Sequence, residues 1–290
     1  MTSPSALTAR KTWRTVEPIH AMVYFAPEPA EEYAGLGLAG TEGYFASRSA
    51  PLGAASAELV IATFYNFNPE LVRRAIPRAW SLASPEEILA ARLRGVDRAL
   101  RSMLGSDVES AEIVEASGIA RDAAEAAAQR PEGRPLFAAH AALPWPTDAH
   151  LVLWHAQSLL REYRGDGHIA ALVVHQLGPV EALLLHAASG DVAGPTLQAT
   201  RAWGDSAWAE SLATLQGRGV LSEGDDLVLT DEGVELHSQI EDLTDELAVL
   251  PYEAIGEDGS ARLRQLVRPY SQTVARLAYP RMFPPSTGDG

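Results

Sequence analysis

The chain contains no cysteine, which excludes disulfides, thiol nucleophiles and thiolate metal sites. It contains one lysine, Lys11, so nearly all of its positive charge is arginine. Its 23 lysines and arginines stand against 38 acids, for a formal charge of −15. Such acidity favours solubility and repels phosphate backbones. No run of about eighteen apolar residues occurs, so neither a membrane span nor a membrane partner is expected. The first fifteen residues hold Arg10, Lys11 and Arg14 with no apolar stretch behind them. A secretory signal is therefore not expected, and the chain reads as cytoplasmic. Also missing are a GxGxxG after a strand, a P-loop, a GxSxG elbow and an HExxH pair. No cofactor and no metal are expected on that ground.

What remains is an ordinary globular composition, 47% apolar and 21% charged over 290 residues. That is enough chain for one large or two ordinary domains. The periodicity is that of a mainly α protein. Val16, Ile19, Met22 and Val23 share one face of a helix over residues 13–25. Ser84-Pro85-Glu86-Glu87 combines an N-cap, a proline at the first helical position and a capping-box acid, and predicts a helix over 84–104. Residues 107–129 form a further alanine-rich helix. Pro135, Pro144 and Pro146 mark 133–148 as a connector. It divides an N-terminal helical half, 10–132, from a C-terminal half, 149–275.

The halves carry traces of an internal repeat. At an offset of about 123 residues, Arg78-Ala79-Trp80 falls on Arg201-Ala202-Trp203, and Glu58 on Glu181. His20-Ala21 and His155-Ala156 occupy similar places early in a helix. Two readings follow, chance in an alanine- and leucine-rich chain or two duplicated halves enclosing a cleft.

Within residues 206–247 the order is helix, turn, Val220-Leu221, an acidic turn, Leu227-Val228-Leu229, and a helix capped by Thr230. This predicts a winged-helix-like unit, at about 200–250, with a short β-hairpin. Fold does not fix function, and the charges oppose the obvious one. Arg201 and Arg218 are the only cations between residues 201 and 250, against twelve acids, three of them (Glu223, Asp225 and Asp226) in the wing tip. A DNA reader places arginine and lysine on its recognition helix and wing. DNA is therefore not expected as a partner.

Arg218-Gly219-Val220-Leu221 and Leu229-Thr230-Asp231-Glu232-Gly233 resemble the wing and following dimerisation helix of MarR-type regulators. Four further segments, Glu17-Pro18-Ile19-His20, Gly43 to Gly53, Phe64-Tyr65-Asn66-Phe67 and Leu160 to His168, resemble those of an actinobacterial helix-turn-helix family over about residues 10–275. The resemblance implies a bacterial cytosolic protein and carries no activity with it.

The densest polar segment is Arg161, Glu162, Arg164, Asp166 and His168. An aspartate near a histidine suits acid–base chemistry, and His168, Asp166 and His155 are the catalytic candidates. Gly165 and Gly167 read either as hinges beside a ligand or as the end of one helix and the cap of the next. Arg48, in a segment of small and aromatic residues with Tyr44, needs a carboxylate partner, from Glu17, Glu58 or a ligand. Tyr44, Arg48, Arg161, Arg164, His20 and Asn66 are the ligand-binding candidates. The leading expectation is a small-molecule-binding protein, with an enzyme acting on an anionic carboxylate or aromatic metabolite as its sharper form. The alternatives are a ligand-responsive winged-helix regulator and a non-catalytic homodimer joined through the helix over 232–247.

Overall fold

The computed structural model describes residues 3–190, 192–224 and 226–279. In chain order its helices are α1 (Ala6–Ala21), α2 (Pro27–Gly35), α3 (Thr41–Ser49), α4 (Ala57–Phe64), α5 (Pro69–Ala75), α6 (Arg78–Leu82), α7 (Pro85–Leu104) and α8 (Ala111–Ala127). There follow α9 (Pro135–Ala141), α10 (Ala149–Val174), α11 (Pro179–Ala188), α12 (Gly194–Arg201), α13 (Asp205–Gly217), α14 (Asp231–Leu247), α15 (Leu250–Glu253) and α16 (Gly256–Ala278). The protein is mainly α, as its periodicity predicts. The cap of α7 is the capping box read from the sequence, with Ser84 and Glu87 each accepting from the other's backbone N–H. Thr230 caps α14 by accepting from Gly233.

Three apolar clusters form the interior. The first, with Ile19, Leu153 and Val267, joins α1, α7, α8, α10 and α16. The second, with Phe45, Ile76 and Ile88, lies among α2 to α7. The third, with Leu184, Leu215 and Ile240, joins the end of α10 to α11, α13 and α14. No single described helix is long and apolar enough to cross a membrane.

Several expectations change. The chain does not bend at Gly165 and Gly167, because α10 runs unbroken through both. Packing overrides the helix penalty of glycine here. A Cβ at Gly167 would stand 2.8 Å from Arg134 Nη1 and 3.3 Å from Leu247 Cβ. The bare backbone lets Arg134 reach the carbonyls of Tyr163 and Leu247. The wing narrows to one antiparallel bridge, Leu221 to Leu229, among the described residues. Asp225, in the expected tip, lies outside them. A Cβ at Gly233 would collide with the Val220 carbonyl, so this glycine lets α14 start against the bridge.

The repeat does not extend to shape. Ala79 is a buried helical residue of α6, whereas Ala202 caps α12 in a left-handed conformation at φ 58°. Within 133–148, α9 buries Leu136 and Phe137.

Candidate functional site

A cavity of about 830 Å³ is walled by residues of α1, α3, α4, α10, α11, α12 and α14. Its volume falls within the range of small-molecule pockets, roughly 300–1,000 Å³. Seven of the nine catalytic and ligand-binding candidates line it: Tyr44, Arg48, Asn66, Arg161, Arg164, Asp166 and His168. His20 and His155 do not.

Both of those histidines are core residues. His20 is fully buried and stacks on Trp154 at 5.8 Å. Its Nδ1 lies 2.7 Å from the Ser158 hydroxyl, which itself donates to the Trp154 carbonyl, so His20 Nδ1 is the donor. Its Nε2 is left to accept from Tyr24, at 3.1 Å. Burial, then the charge of Arg161, lowers its pKa well below the usual histidine value. His155 packs on the edge of Trp145 at 4.7 Å. Burial, then Arg92 and Arg121, lowers its pKa to about 4.

The expected pairing of Asp166 with His168 is not assembled. Asp166 Oδ2 accepts from Phe137 N at 3.0 Å and so caps α9 across the core. Burial raises its pKa to about 6, with the Phe137 N–H working against the shift. His168 Nδ1 instead lies 3.0 Å from Thr244 Oγ1, whose proton goes to the Ile240 carbonyl. Burial lowers the His168 pKa, with Glu241 opposing and Arg164 adding.

Apart from Arg14, the arginines of the cavity wall fall into two clusters. In the first, Arg10 and Arg164 share Glu241 and Asp245. Arg10 lies 2.7 Å from Glu241 and 2.6 Å from Asp245. Arg164 lies 2.8 Å from Asp245, close enough for an ion pair though not aligned for a hydrogen bond, and 3.5 Å from Glu241. Two guanidiniums thus meet two carboxylates, and Arg164 also stacks over Trp13 at 4.7 Å.

The second cluster is not balanced in this way. Arg161 is held by Glu17 at 2.8 Å and Glu162 at 3.1 Å. Arg48 pairs with neither Glu17 nor Glu58 but with Glu162, at 3.4 Å. It also donates to the Tyr44 hydroxyl at 2.9 Å and sits over the Phe64 ring at 4.4 Å. Burial would raise the Glu162 pKa, but Arg48 and Arg161 together hold it at about 2. Arg201 lies over the Phe67 ring at 4.7 Å and donates to Thr200 Oγ1. No carboxylate is within ion-pair distance of it among the described residues. Burial lowers its pKa, Tyr44 opposes this, and the charge of Arg48 adds to it. The Nε atoms of Arg48 and Arg201 are both buried without a hydrogen-bond partner. Sequence reasoning placed Arg201 in the suspected repeat and counted it among the cations of residues 201–250, but did not offer it for the site. Its place after Thr200 on an otherwise uncharged α12 was the available signal.

Among the described residues, one group outside the cavity, Asp97, Asp148 and His150, brings three potential ligand atoms within 4.8 Å of one another. Arg101 lies 2.8 Å from Asp97 and 3.2 Å from Asp148, and His150 Nε2 lies 2.7 Å from Asp97. A guanidinium therefore already sits between the two carboxylates.

The cavity adjoins a helix–turn–helix. α12 contributes Thr196, Leu197, Thr200 and Arg201 to the wall. Residues 202–204 then turn the chain into α13, whose Ala209, Glu210, Ala213 and Thr214 face solvent. The turn is fastened to the loop after α4. Asn68 N donates to Arg201 O at 3.0 Å, and Asn68 Nδ2 to Ala202 O at 2.9 Å. Trp203 Nε1 donates to Asn66 O at 2.9 Å.

A family model described as a helix-turn-helix family matches residues 9–280. The chain belongs to that family. No curated protein and no solved structure matches it. Membership overturns the expectation that DNA is not a partner. That expectation treated every acid of residues 201–250 as DNA-facing surface. α13 itself carries only Asp205 and Glu210, while Glu241 and Asp245 of α14 are spent on Arg10 and Arg164.

Proposed function

We propose that this helix-turn-helix protein is a ligand-responsive DNA-binding regulator, with α13 as the reading helix. The order of α11, α12, α13, a bridged turn and α14 supports a reduced winged-helix form of that unit. The observation that carries the ligand response is the fastening of the turn. Three hydrogen bonds join residues 201–203 to Asn66 and Asn68, and Asn66 and Arg201 both line the cavity. Anything filling the cavity touches the loop and the helix that are joined at the turn into α13. A ligand shifts such an equilibrium only through different contacts in the two states, and this joint is where they would differ. A regulator of this kind works in the cytoplasm, with the DNA.

Selection of fragments from the organism's own genomic DNA at low salt tests the reading. The full chain is expected to retain specific fragments. A variant carrying Ala209→Glu and Ala213→Glu, both on the exposed face of α13, is expected to lose them with its melting temperature unchanged. No retained fragment, or equal retention by the variant, would sink the proposal. The two cations of the unit are engaged elsewhere, Arg201 in the cavity wall and Arg218 on the carbonyls of His175 and Gln176. The salt dependence of binding is therefore expected to be shallow.

A further inference from the structure

Six arginines line the cavity: Arg10, Arg14, Arg48, Arg161, Arg164 and Arg201. Among the described residues only three acids do, Glu162, Asp166 and Glu241. An excess of positive charge inside a chain of net charge −15 needs an explanation, because an unpaired guanidinium is costly to bury. The excess is concentrated at Arg48 and Arg201, which sit over Phe64 and Phe67 and each keep a buried Nε without a partner. Around them the wall is aromatic and aliphatic, with Tyr44, Tyr65, Leu172 and Leu197.

We propose that the cavity takes an organic anion with an aromatic body, its carboxylate held between Arg48 of α3 and Arg201 of α12. The proposal rests on the regulator reading for its consequence and not for the binding itself. The carboxylate brings Arg201 the counter-charge that no described residue supplies, and meets both guanidiniums through their terminal nitrogens in charge-assisted hydrogen bonds, since each Nε is itself buried. The ring extends against the apolar wall beside Phe67. Because Arg201 ends α12, the bound anion ties the first helix of the helix–turn–helix to α3. It also removes the like-charge repulsion between the two guanidiniums. Neutral ligands of the same shape gain neither effect.

Isothermal titration of the full chain, without DNA, tests this with naphthalene-2-carboxylate and naphthalene-2-carboxamide. The carboxylate is expected to bind at least roughly tenfold more tightly than the amide, the worth of a lost charge-assisted contact. Arg201→Gln is expected to remove that preference and leave the weaker amide affinity in place. Arg201 has no carboxylate partner among the described residues to orphan, and the variant's melting temperature confirms that it is folded. Equal affinity for the two probes, no measurable binding of the carboxylate, or an unchanged preference in Arg201→Gln would overturn the proposal. A carboxylate that binds without altering DNA retention leaves this inference standing and removes the regulator reading. DNA retention with no carboxylate binding does the reverse.

Discussion

Two arginine clusters share one cavity and are built in opposite ways. Around Asp245 each guanidinium meets carboxylates of α14, and the side chains of Arg164 and Asp245 are only 9% and 5% exposed. In the second cluster Glu17 and Glu162 serve Arg161, Arg48 has only a share of Glu162, and Arg201 has no carboxylate among the described residues. A closed ion cluster holds elements together. An open one stores unfavourable charge that a partner can relieve. The contrast teaches that the location of an arginine matters less than whether its carboxylate comes from the protein.

The strongest way to break the contrast is to open the closed cluster. Asp245→Ala leaves Arg10 and Arg164 around Glu241 alone. Losing one partner of a buried pair costs about 3–5 kcal/mol, expected here as a melting temperature lower by roughly 6–15 °C. A loss below about 1 kcal/mol would mean that the cluster is not what joins α1, α10 and α14.

A smaller effect is expected at Asp166, whose titration sets how positive the cavity becomes. Asp166→Ala removes the cap of α9 and should cost about 1–2 kcal/mol. Asp166→Asn keeps an acceptor and should cost less. The carboxyl titrates near 6 in the fold and near about 3.9 in an unfolded chain. The folded state thus binds the proton more tightly, and this group's stabilising contribution is lost as pH rises from about 4 to 6. Urea unfolding at pH 4.5 and pH 7 should show Asp166→Asn gaining on the native protein at the higher pH. A difference independent of pH would contradict the raised value.

The smallest effect is expected in the open cluster. Arg201→Gln should change stability by no more than about 0.5 kcal/mol. A large destabilisation would show that Arg201 is paired after all.

Much of the site was legible in the sequence. Arginine, tyrosine and asparagine set among small and aromatic residues must find polar partners, and Tyr44, Arg48, Asn66, Arg161 and Arg164 all reach the cavity wall. The partners were not legible. Glu162 and Asp245 lie on faces of α10 and α14 that only the tertiary packing brings to Arg48 and Arg164. Gly167 looked like a hinge because its neighbours Arg134 and Leu247 are distant in sequence. Counting charge along residues 201–250 misjudged Arg201, Glu241 and Asp245 alike. A linear count records how much charge a segment carries and not which way it faces.

α10 itself has a kinetic consequence. Its 26 residues stretch about 39 Å at 1.5 Å per residue. They contribute to the first apolar cluster through Leu153 and to the third through Leu172, and they form cavity wall between the two. No local opening can expose its central amides without disturbing two cores at once. Those amides, around Leu159 to Tyr163, should be among the last in the molecule to exchange with deuterium, at close to the global unfolding free energy. The amides of α12 and α13, tied down by a handful of bonds at the turn, should exchange much earlier.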